Sequence, residues 1–340
     1  MATDVGEQVA EAHDLAYVHD HDPGLRRVAR GHGVGLIDAD GREVRDAKTL
    51  KRVARLAVPP AWTKVWICPD PAGHIQAVGR DARGRKQYRY HDGWRACRDE
   101  AKYHRLEAFG RALPRLRVQV RSDLARRGLP REKVLAAVVR LLEVTLIRVG
   151  NDEYAKSNKS FGLTTLRKRH ITLSGVGAVF EFRGKSGVTH KSDFHDPRLA
   201  RVLQGCENLP GQRLFQFVDE AGERHAVGSH DVNAYVRGAM GEDFSAKDFR
   251  TWAGTMAAAR ALAMQRPPQS KAEGKRTIAL CVKAVAGLLG NTAAVCRACY
   301  IHPAVFEAFE AGTLSPKLAA RARPAELALL KLLGAADNPR

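Results

Sequence analysis

The chain has 340 residues, enough for about two domains of ordinary size, and 44% of them are hydrophobic, which excludes global disorder. Its 56 Lys and Arg against 37 Asp and Glu give a formal charge of +19 and a pI near 10.0, a balance that calls for a polyanionic partner because each phosphate neutralised releases condensed counterions. No apolar run reaches the length of a membrane span, and the first residues lack the basic and apolar regions of a signal peptide, so a soluble, cytoplasmic protein is expected.

In chain order, residues 1–25 hold six acids (Asp4, Glu7, Glu11, Asp14, Asp20 and Asp22) and no Lys or Arg, and residues 1–12 read as a solvated tail. The stretch to residue 91 is mainly β. Residues 33–38 and 42–44 flank an Asp40-Gly41 turn, a hairpin signal. Asp46 is placed to cap a short basic helix reaching Leu56, ended by Pro59-Pro60, with Leu50, Val53 and Leu56 on one face. A second hairpin pairs residues 65–68 with 74–78, and a turn at 81–84 leads into a strand over 85–91.

Beyond His91 the pattern turns helical. Helices are expected over 97–113 and 116–127, with Gly128 as a stop, and over an apolar run opened by Pro130 and reaching about Ile147. A strand-rich island follows at 164–166, 171–173, 178–182 and 188–190. Ser229 and Ser245 read as N-caps, and further helices are expected around 277–289 and 292–312. The fold class is therefore α+β, with a small β-rich amino-terminal domain (1–91) and a larger, mainly helical carboxy-terminal domain (92–340). Six scattered cysteines read as free thiols of a reducing compartment; Cys296 and Cys299 form a lone C-x-x-C with no second pair to complete a zinc site.

Several residues stand in distinctive settings, each with a plainer alternative. Arg148, at a helix-to-loop junction before Val149-Gly150-Asn151, can present a bidentate fork to a phosphate, or simply complement a helix C-terminus. Lys185 lies in Gly184-Lys185-Ser186-Gly187 between two strands. Position 179 is Val where a phosphate loop needs Gly, so the nucleotide-binding reading fails. What remains is a hairpin-tip lysine, either reaching into a groove or solvated. Lys247 and Arg250 lie one helical turn apart. Asn291 can cap a helix starting at Thr292, and Tyr300 is either a packed aromatic or a nucleophile. Alternation places Tyr88 and Tyr90 on one face of their strand, with Gln87 and Arg89 opposite, among Arg80, Arg83, Arg85 and Lys86. That set suits phosphate and groove contacts, or a half-buried tyrosine pair.

Taken together, Arg148, Lys185, Arg250, Asn291 and Tyr300 occur in an order that resembles the type IB DNA topoisomerases, specifically the small bacterial and poxvirus-like branch. The resemblance runs from about Leu15 to Tyr300 and includes the strings over 76–81, 84–91, 148–151, 161–166 and 247–250. It implies relaxation of supercoiled double-stranded DNA by a monomeric clamp, through a 3′-phosphotyrosyl intermediate on Tyr300 with no cofactor, ATP or metal. Arg148, Arg250 and Asn291 would then hold the phosphate, with guanidinium groups in place of a divalent cation, and Lys185 would protonate the leaving 5′-oxygen. It also implies DNA contacts for Arg80, Arg85, Lys86, Gln87, Tyr88, Tyr90, Tyr154 and Lys247, and a nucleoid-associated place in a bacterial cytoplasm. Asn291 departs from the poxvirus pattern, which has a histidine there; an amide can donate to a phosphate oxygen but cannot gain a charge. The alternatives are a tyrosine site-specific recombinase, which usually carries H-x-x-R where this chain has Lys247-x-x-Arg250, and a non-catalytic architectural DNA binder.

Overall fold

Apolar residues in the first ninety positions are spaced for strands, and they form one antiparallel sheet. The computed structural model describes residues 10, 14–30, 33–241, 244–321 and 323–337, apart from the side chains of 29–30, 95–102, 104, 154, 157, 186 and 337. The expected acidic tail over 1–12 therefore lies, Ala10 aside, outside the described residues. The sheet runs β2-β1-β3-β4-β5, with β1 Leu25–Arg30, β2 Gly33–Ile37, β3 Thr63–Ile67, β4 Ile75–Arg80 and β5 Lys86–Tyr90. The hairpins 65–78 and 75–91 form as expected. The first expected hairpin forms as well, with Gly41 at φ +82, Asp38 N–H donating to Arg42 O at 2.9 Å, Val44 N–H to Leu36 O at 3.0 Å and Ile37 bridged antiparallel to Glu43, but β2 takes its longer partner from β1, a strand that the charged run 25–30 concealed. Helix α1 (Ala47–Arg55) is capped by Asp46, whose carboxylate accepts from Thr49 N–H at 2.8 Å. It stops at Arg55, ahead of the prolines, because Ala57 turns left-handed at φ +46.

Compactness divides the chain at Tyr103/His104, within helix α2 (Asp92–Leu124); the domain boundary expected at residue 91 is where this helix begins. One helix stands where two were expected. Pro114 sits inside it, although proline removes a helical donor and clashes with the preceding turn. Leu106, Phe109, Leu113, Leu116 and Val120 are all buried in one core, so packing on both sides of Pro114 outweighs its local cost. Arg117 adds a polar tie: its Nε donates to Glu143 at 2.6 Å and its Nη2 to Glu326 at 2.6 Å, joining α2 to α3 (Arg131–Thr145) and to a carboxy-terminal helix absent from the sequence reading, Arg323–Asp337.

Helix α3 is apolar almost all round, and Val134 to Val139, Leu141 and Leu142 are all buried, the signature of a central core helix. It ends two residues before the expected Ile147 because Leu146 adopts the left-handed conformation, φ 55. After α4 (Asp152–Asn158) the expected strand at 164–166 is a 3-10 turn, Leu163–Thr165. Leu163 and Thr164 N–H groups are spent on Arg148 O (2.9 Å) and Val149 O (2.7 Å) instead of on a strand partner. Strands β6 (Ile171–Ser174), β7 (Gly177–Arg183) and β8 (Thr189–His195) form an antiparallel meander. Beyond it lie α5 (Pro197–Asn208), the small hairpin β9 (Gln216–Val218) and β10 (Arg224–Ala226), α6 (Ser229–Met240) and α7 (Ala246–Ala263). Gly228, not Ser229, occupies the N-cap of α6; Ser245 caps α7 as expected, with Asp248 accepting from Ser245 N–H at 2.8 Å.

Helix α8 (Lys271–Leu289) begins earlier than expected, at the Ser270 cap, and closes on Gly290 at φ 58. The single helix expected over 292–312 is two, α9 (Ala293–Cys299) and α10 (Pro303–Glu310), with Tyr300 at the break because Pro303 cannot continue the preceding turn. The carboxy-terminal helix Arg323–Asp337 is α11.

Removing the Arg117 fork leaves two partly buried carboxylates without their shared partner. Arg117→Met should lower unfolding stability by about 1–3 kcal/mol, read as a shift of the urea midpoint at constant slope. A change below about 0.5 kcal/mol would show that the network is solvated and carries little.

Candidate active site

Arg250 is the buried centre of a cluster. Its position on α7 leaves it only 5% exposed, and its guanidinium is held by two helix ends: Nη1 donates to Leu146 O at the close of α3, and Nη2 donates to Leu289 O at the last residue of α8, at 2.6 Å. Both carbonyls are acceptors that a helix C-terminus leaves unused, and both sit at the negative end of a helix dipole. Burial lowers the Arg250 pKa, the neighbouring Arg148 lowers it further, and the charge and hydrogen bonding of Tyr300 act in the opposite direction. The guanidinium carbon stands 5.3 Å from the centre of the Tyr300 ring.

Arg148 reaches this cluster from the loop after α3. Its Nη2 donates to Asn291 Oδ1 at 2.6 Å, linking residues 143 positions apart in sequence. The loop is held by very close backbone approach: a Cβ on Gly162 would lie 2.5 Å from Arg148 O and 2.6 Å from Gly150 Cα, so only glycine fits. Asn291 does not cap α9. Thr292 does, accepting from Val295 N–H at 3.3 Å, which leaves the Asn291 amide to turn toward Arg148. With its oxygen engaged, the amide leaves Nδ2 buried and without an acceptor, and Arg250 Nε is in the same condition. Two buried donors lacking acceptors, one in the Arg250 guanidinium and one on the amide that Arg148 holds, make a site for an oxyanion; each such orphan costs about 1–3 kcal/mol until an acceptor arrives.

Tyr300 is docked on α7, one turn beyond Arg250. A Cβ on Gly254 would stand 2.5 Å from Tyr300 O, and Thr255 Oγ1 accepts from His302 N–H at 3.1 Å. Arg297 is engaged elsewhere, over the Phe306 ring at 4.8 Å. Cys296 is buried, and burial raises its thiol above the ordinary range. Lys185 sits exposed at the tip between β7 and β8, as expected, in a turn closed by Gly187 at φ 78. The structure thus gathers Arg148, Arg250, Asn291 and Tyr300 in one place and puts Lys185 on a hairpin whose tip-end residue His190 adjoins them. The hairpin is tied to the Arg148 loop: Phe161 N–H donates to Arg183 O at 2.9 Å, two residues before Leu163 bonds Arg148 O.

The other expected contacts are distributed differently. Lys247 is exposed in the first turn of α7, where Arg250 is buried. Tyr154 belongs to α4, and its side chain lies outside the described residues. In the amino-terminal unit Tyr88 and Tyr90 share a face and stack at 5.7 Å, with Tyr88 38% exposed. Several basic residues around them already have partners. Lys86 pairs with Asp20 at 2.7 Å, Arg85 with Asp81 at 2.7 Å, and Arg80 donates to Gly84 O at 2.8 Å; Gln87 Nε2 donates to Asp81 at 3.0 Å. The Arg85 hydrogen bonds draw the Asp81 carboxyl down to about 2.

His190, on β8, is a member of the cluster that the sequence reading missed. Its ring stacks on Phe182 at 5.6 Å, and burial followed by the Arg148 and Arg250 charges pushes its pKa below the ordinary histidine value. No local pattern marks it: the glycines it rests against, Gly184 before Lys185 and Gly290 before Asn291, are far apart in sequence. Among the described residues no group of three His, Cys, Asp or Glu is placed to hold a metal ion.

Comparison with known proteins adds to this geometry. The family model described as "Eukaryotic DNA topoisomerase I, catalytic core" matches residues 91–318, and that described as "Bacterial DNA topoisomerase IB, N-terminal domain" matches residues 35–81. The chain is similar to a DNA topoisomerase 1B of Acanthamoeba polyphaga mimivirus, 33% identical over 282 residues that cover 80% of this chain and 83% of the relative. It is also similar, at 23% identity over 68% of its length, to the DNA topoisomerase 1B of Vaccinia virus and the DNA topoisomerase I of Monkeypox virus, 71% of each being covered.

The placement of His190 beside two guanidinium groups has a titration consequence. Its midpoint, followed by NMR, should lie below the ordinary value of about 6.5, and Arg148→Gln should move it upward, since removing a cation eases formation of the imidazolium. An unchanged midpoint in that variant would mean that Arg148 does not approach the ring.

Proposed function

The chain belongs to the type IB DNA topoisomerases, and we propose that Tyr300, Arg148, Arg250, Lys185 and Asn291 are the residues with which it relaxes supercoiled DNA. One strand is cleaved and rejoined through a 3′-phosphotyrosyl intermediate, without ATP or metal. The observation that carries the residue assignment is the pair of buried donors without acceptors, Nε of the Arg250 guanidinium and Nδ2 of Asn291, the latter bonded through its oxygen to Arg148 and the former beside the Tyr300 ring.

In the first step the Tyr300 oxygen gives up its proton to water and attacks phosphorus. The new P–O bond to tyrosine forms as the P–O5′ bond breaks. A tyrosine phenol ionises only near about pH 10, so developing phenolate needs adjacent positive charge, and Arg250 at the ring supplies it. Arg148 and Arg250 take the non-bridging oxygens, and their charge opposes that of the pentavalent transition state. The 5′-alkoxide is a strong base and leaves with a proton from Lys185, whose exposed hairpin-tip ammonium is free to follow the leaving oxygen. The 5′-hydroxyl then attacks the tyrosyl ester, Lys185 takes back the proton, and the strand is resealed with its bond energy conserved. Strand rotation between the two steps removes supercoils. Asn291 contributes Nδ2, because Arg148 occupies its oxygen; the contact carries no charge that changes between about pH 5 and 8, unlike a histidine.

We further propose that the enzyme works as a monomeric clamp on duplex DNA in a bacterial cytoplasm, associated with the nucleoid. Tyr88, Tyr90, Gln87, Arg80, Arg85 and Lys86 would contact DNA from the amino-terminal unit, and Tyr154 and Lys247 from the catalytic one. The ion pairs of Lys86 and Arg85 would exchange for phosphates on binding, which costs little for exposed pairs.

Relaxation of supercoiled plasmid in EDTA tests the reading, and Tyr300→Phe is the decisive variant. It keeps the ring over Arg250 and removes only the oxygen, so it should bind duplex DNA as the parent does and relax none. Relaxation by this variant would remove Tyr300 from the mechanism. Lys185→Ala should slow cleavage of an ordinary phosphodiester by roughly 10²–10⁴-fold and regain much of that loss on a substrate with a 5′-bridging sulfur, whose thiolate leaves unprotonated. Equal slowing on both substrates would leave Lys185 an electrostatic or structural role only.

A further inference from the structure

His190 lies between the two loops that present functional groups. A Cβ on Gly184 would come 2.2 Å from His190 Cδ2 and 2.6 Å from Nε2, and a Cβ on Gly290 would come 2.4 Å from Cε1 and 3.0 Å from Nδ1. The opposite edges of the ring therefore rest against two glycines, and no larger residue fits at either without displacing the ring. Each glycine immediately precedes a proposed functional residue, Gly184 before Lys185 and Gly290 before Asn291. The ring is also held within its sheet, in register with Phe182 and stacked on it.

We propose that His190 is a positioning residue for proton transfer: its imidazole is a spacer that sets the Lys185 hairpin against the Asn291 turn, and so fixes where the lysine meets the leaving oxygen. The inference rests on the reading of Lys185 as the general acid. The physical need is plain. Lys185 is exposed on a short turn, so its backbone is the part that can be fixed in advance, and beside that backbone stands a ring braced on the far side by the closed end of α8. Gly290 is fastened there by its N–H donating to Gly287 O at 3.2 Å, and the next residue's N–H donates to Ala286 O at 3.0 Å. A spacer gains from being uncharged, because an imidazolium would be pushed away by Arg148 and Arg250; burial and those same two charges favour the neutral ring.

The test compares single-turnover cleavage of an ordinary duplex with cleavage of the same duplex carrying a 5′-bridging sulfur, for the full-length parent, His190→Ala and Lys185→Ala. Misplacing the acid by about 1 Å is worth up to roughly 10²-fold, so His190→Ala should be slower by about 10- to 10²-fold on the ordinary duplex and should recover most of that loss on the sulfur substrate. If His190→Ala unfolds at the assay temperature, Gly184→Ala displaces the same ring while keeping it, and the same pattern is expected. Recovery by Lys185→Ala without recovery by the His190 or Gly184 variant would overturn the positioning role alone. Failure of Lys185→Ala to recover would overturn the general-acid reading beneath it, and a parent-like rate for His190→Ala on the ordinary duplex would overturn the proposal outright.

Discussion

The burial of one charged group, the Arg250 guanidinium, constrains the whole catalytic unit. Taking such a cation out of water costs several kcal/mol even after relaxation. Two charge-assisted hydrogen bonds to carbonyls return about 1.5–3 kcal/mol each, so desolvation and bonding are of similar size and Arg250 adds little net stability. What it demands is geometry. The carbonyl ends of α3 and α8 must converge on α7, and Leu146 must turn left-handed to aim its oxygen. That turn also ends α3 where the Arg148 loop begins, and the end of α8 delivers Asn291. A costly buried cation thus fixes the starting points of both loops that surround the anion site.

Close backbone approach does the remaining assembly. Gly162 against Gly150 presses the Arg148 loop onto the segment that continues into the Phe161–Arg183 bond, and Gly254 lets the Tyr300 backbone lie on α7 one turn from Arg250. The break between α9 and α10 puts Tyr300 at a helix end instead of inside a helix, where its ring reaches the guanidinium. The functional groups therefore stand on rigid elements or on loops strapped to them, the condition for electrostatic preorganisation. Lys185 alone is carried on an exposed hairpin tip.

Much of this was legible in the sequence, and the misses have physical causes. The α+β class, the hairpins at 65–78 and 75–91, the Asp46 and Ser245 caps and the ordered set Arg148, Lys185, Arg250, Asn291, Tyr300 all follow from patterns that act locally or from resemblance. Strand β1 was hidden because three arginines interrupt its alternation. Helix α2 was divided at Pro114 because local chemistry favours a break that tertiary packing overrides. The turn at 163–165 read as a strand because its threonines are β-formers, yet the backbone donors of Leu163 and Thr164 are taken by the Arg148 loop. His190 could not be found by spacing at all, since its role depends on two glycines about a hundred residues apart that meet only in the fold.

The most direct measurement is the chemical identity of the covalent intermediate. A duplex labelled on the cleaved strand is incubated with the enzyme in EDTA, the reaction is quenched with denaturant, and the protein–DNA adduct is digested and sequenced by mass spectrometry. The structure predicts one modified residue, Tyr300, joined to a 3′-phosphate, with a free 5′-hydroxyl on the released strand. A bond through any other residue, or a 5′-phosphate linkage, would contradict the assignment of the Arg148–Arg250–Asn291 cluster as the site of cleavage.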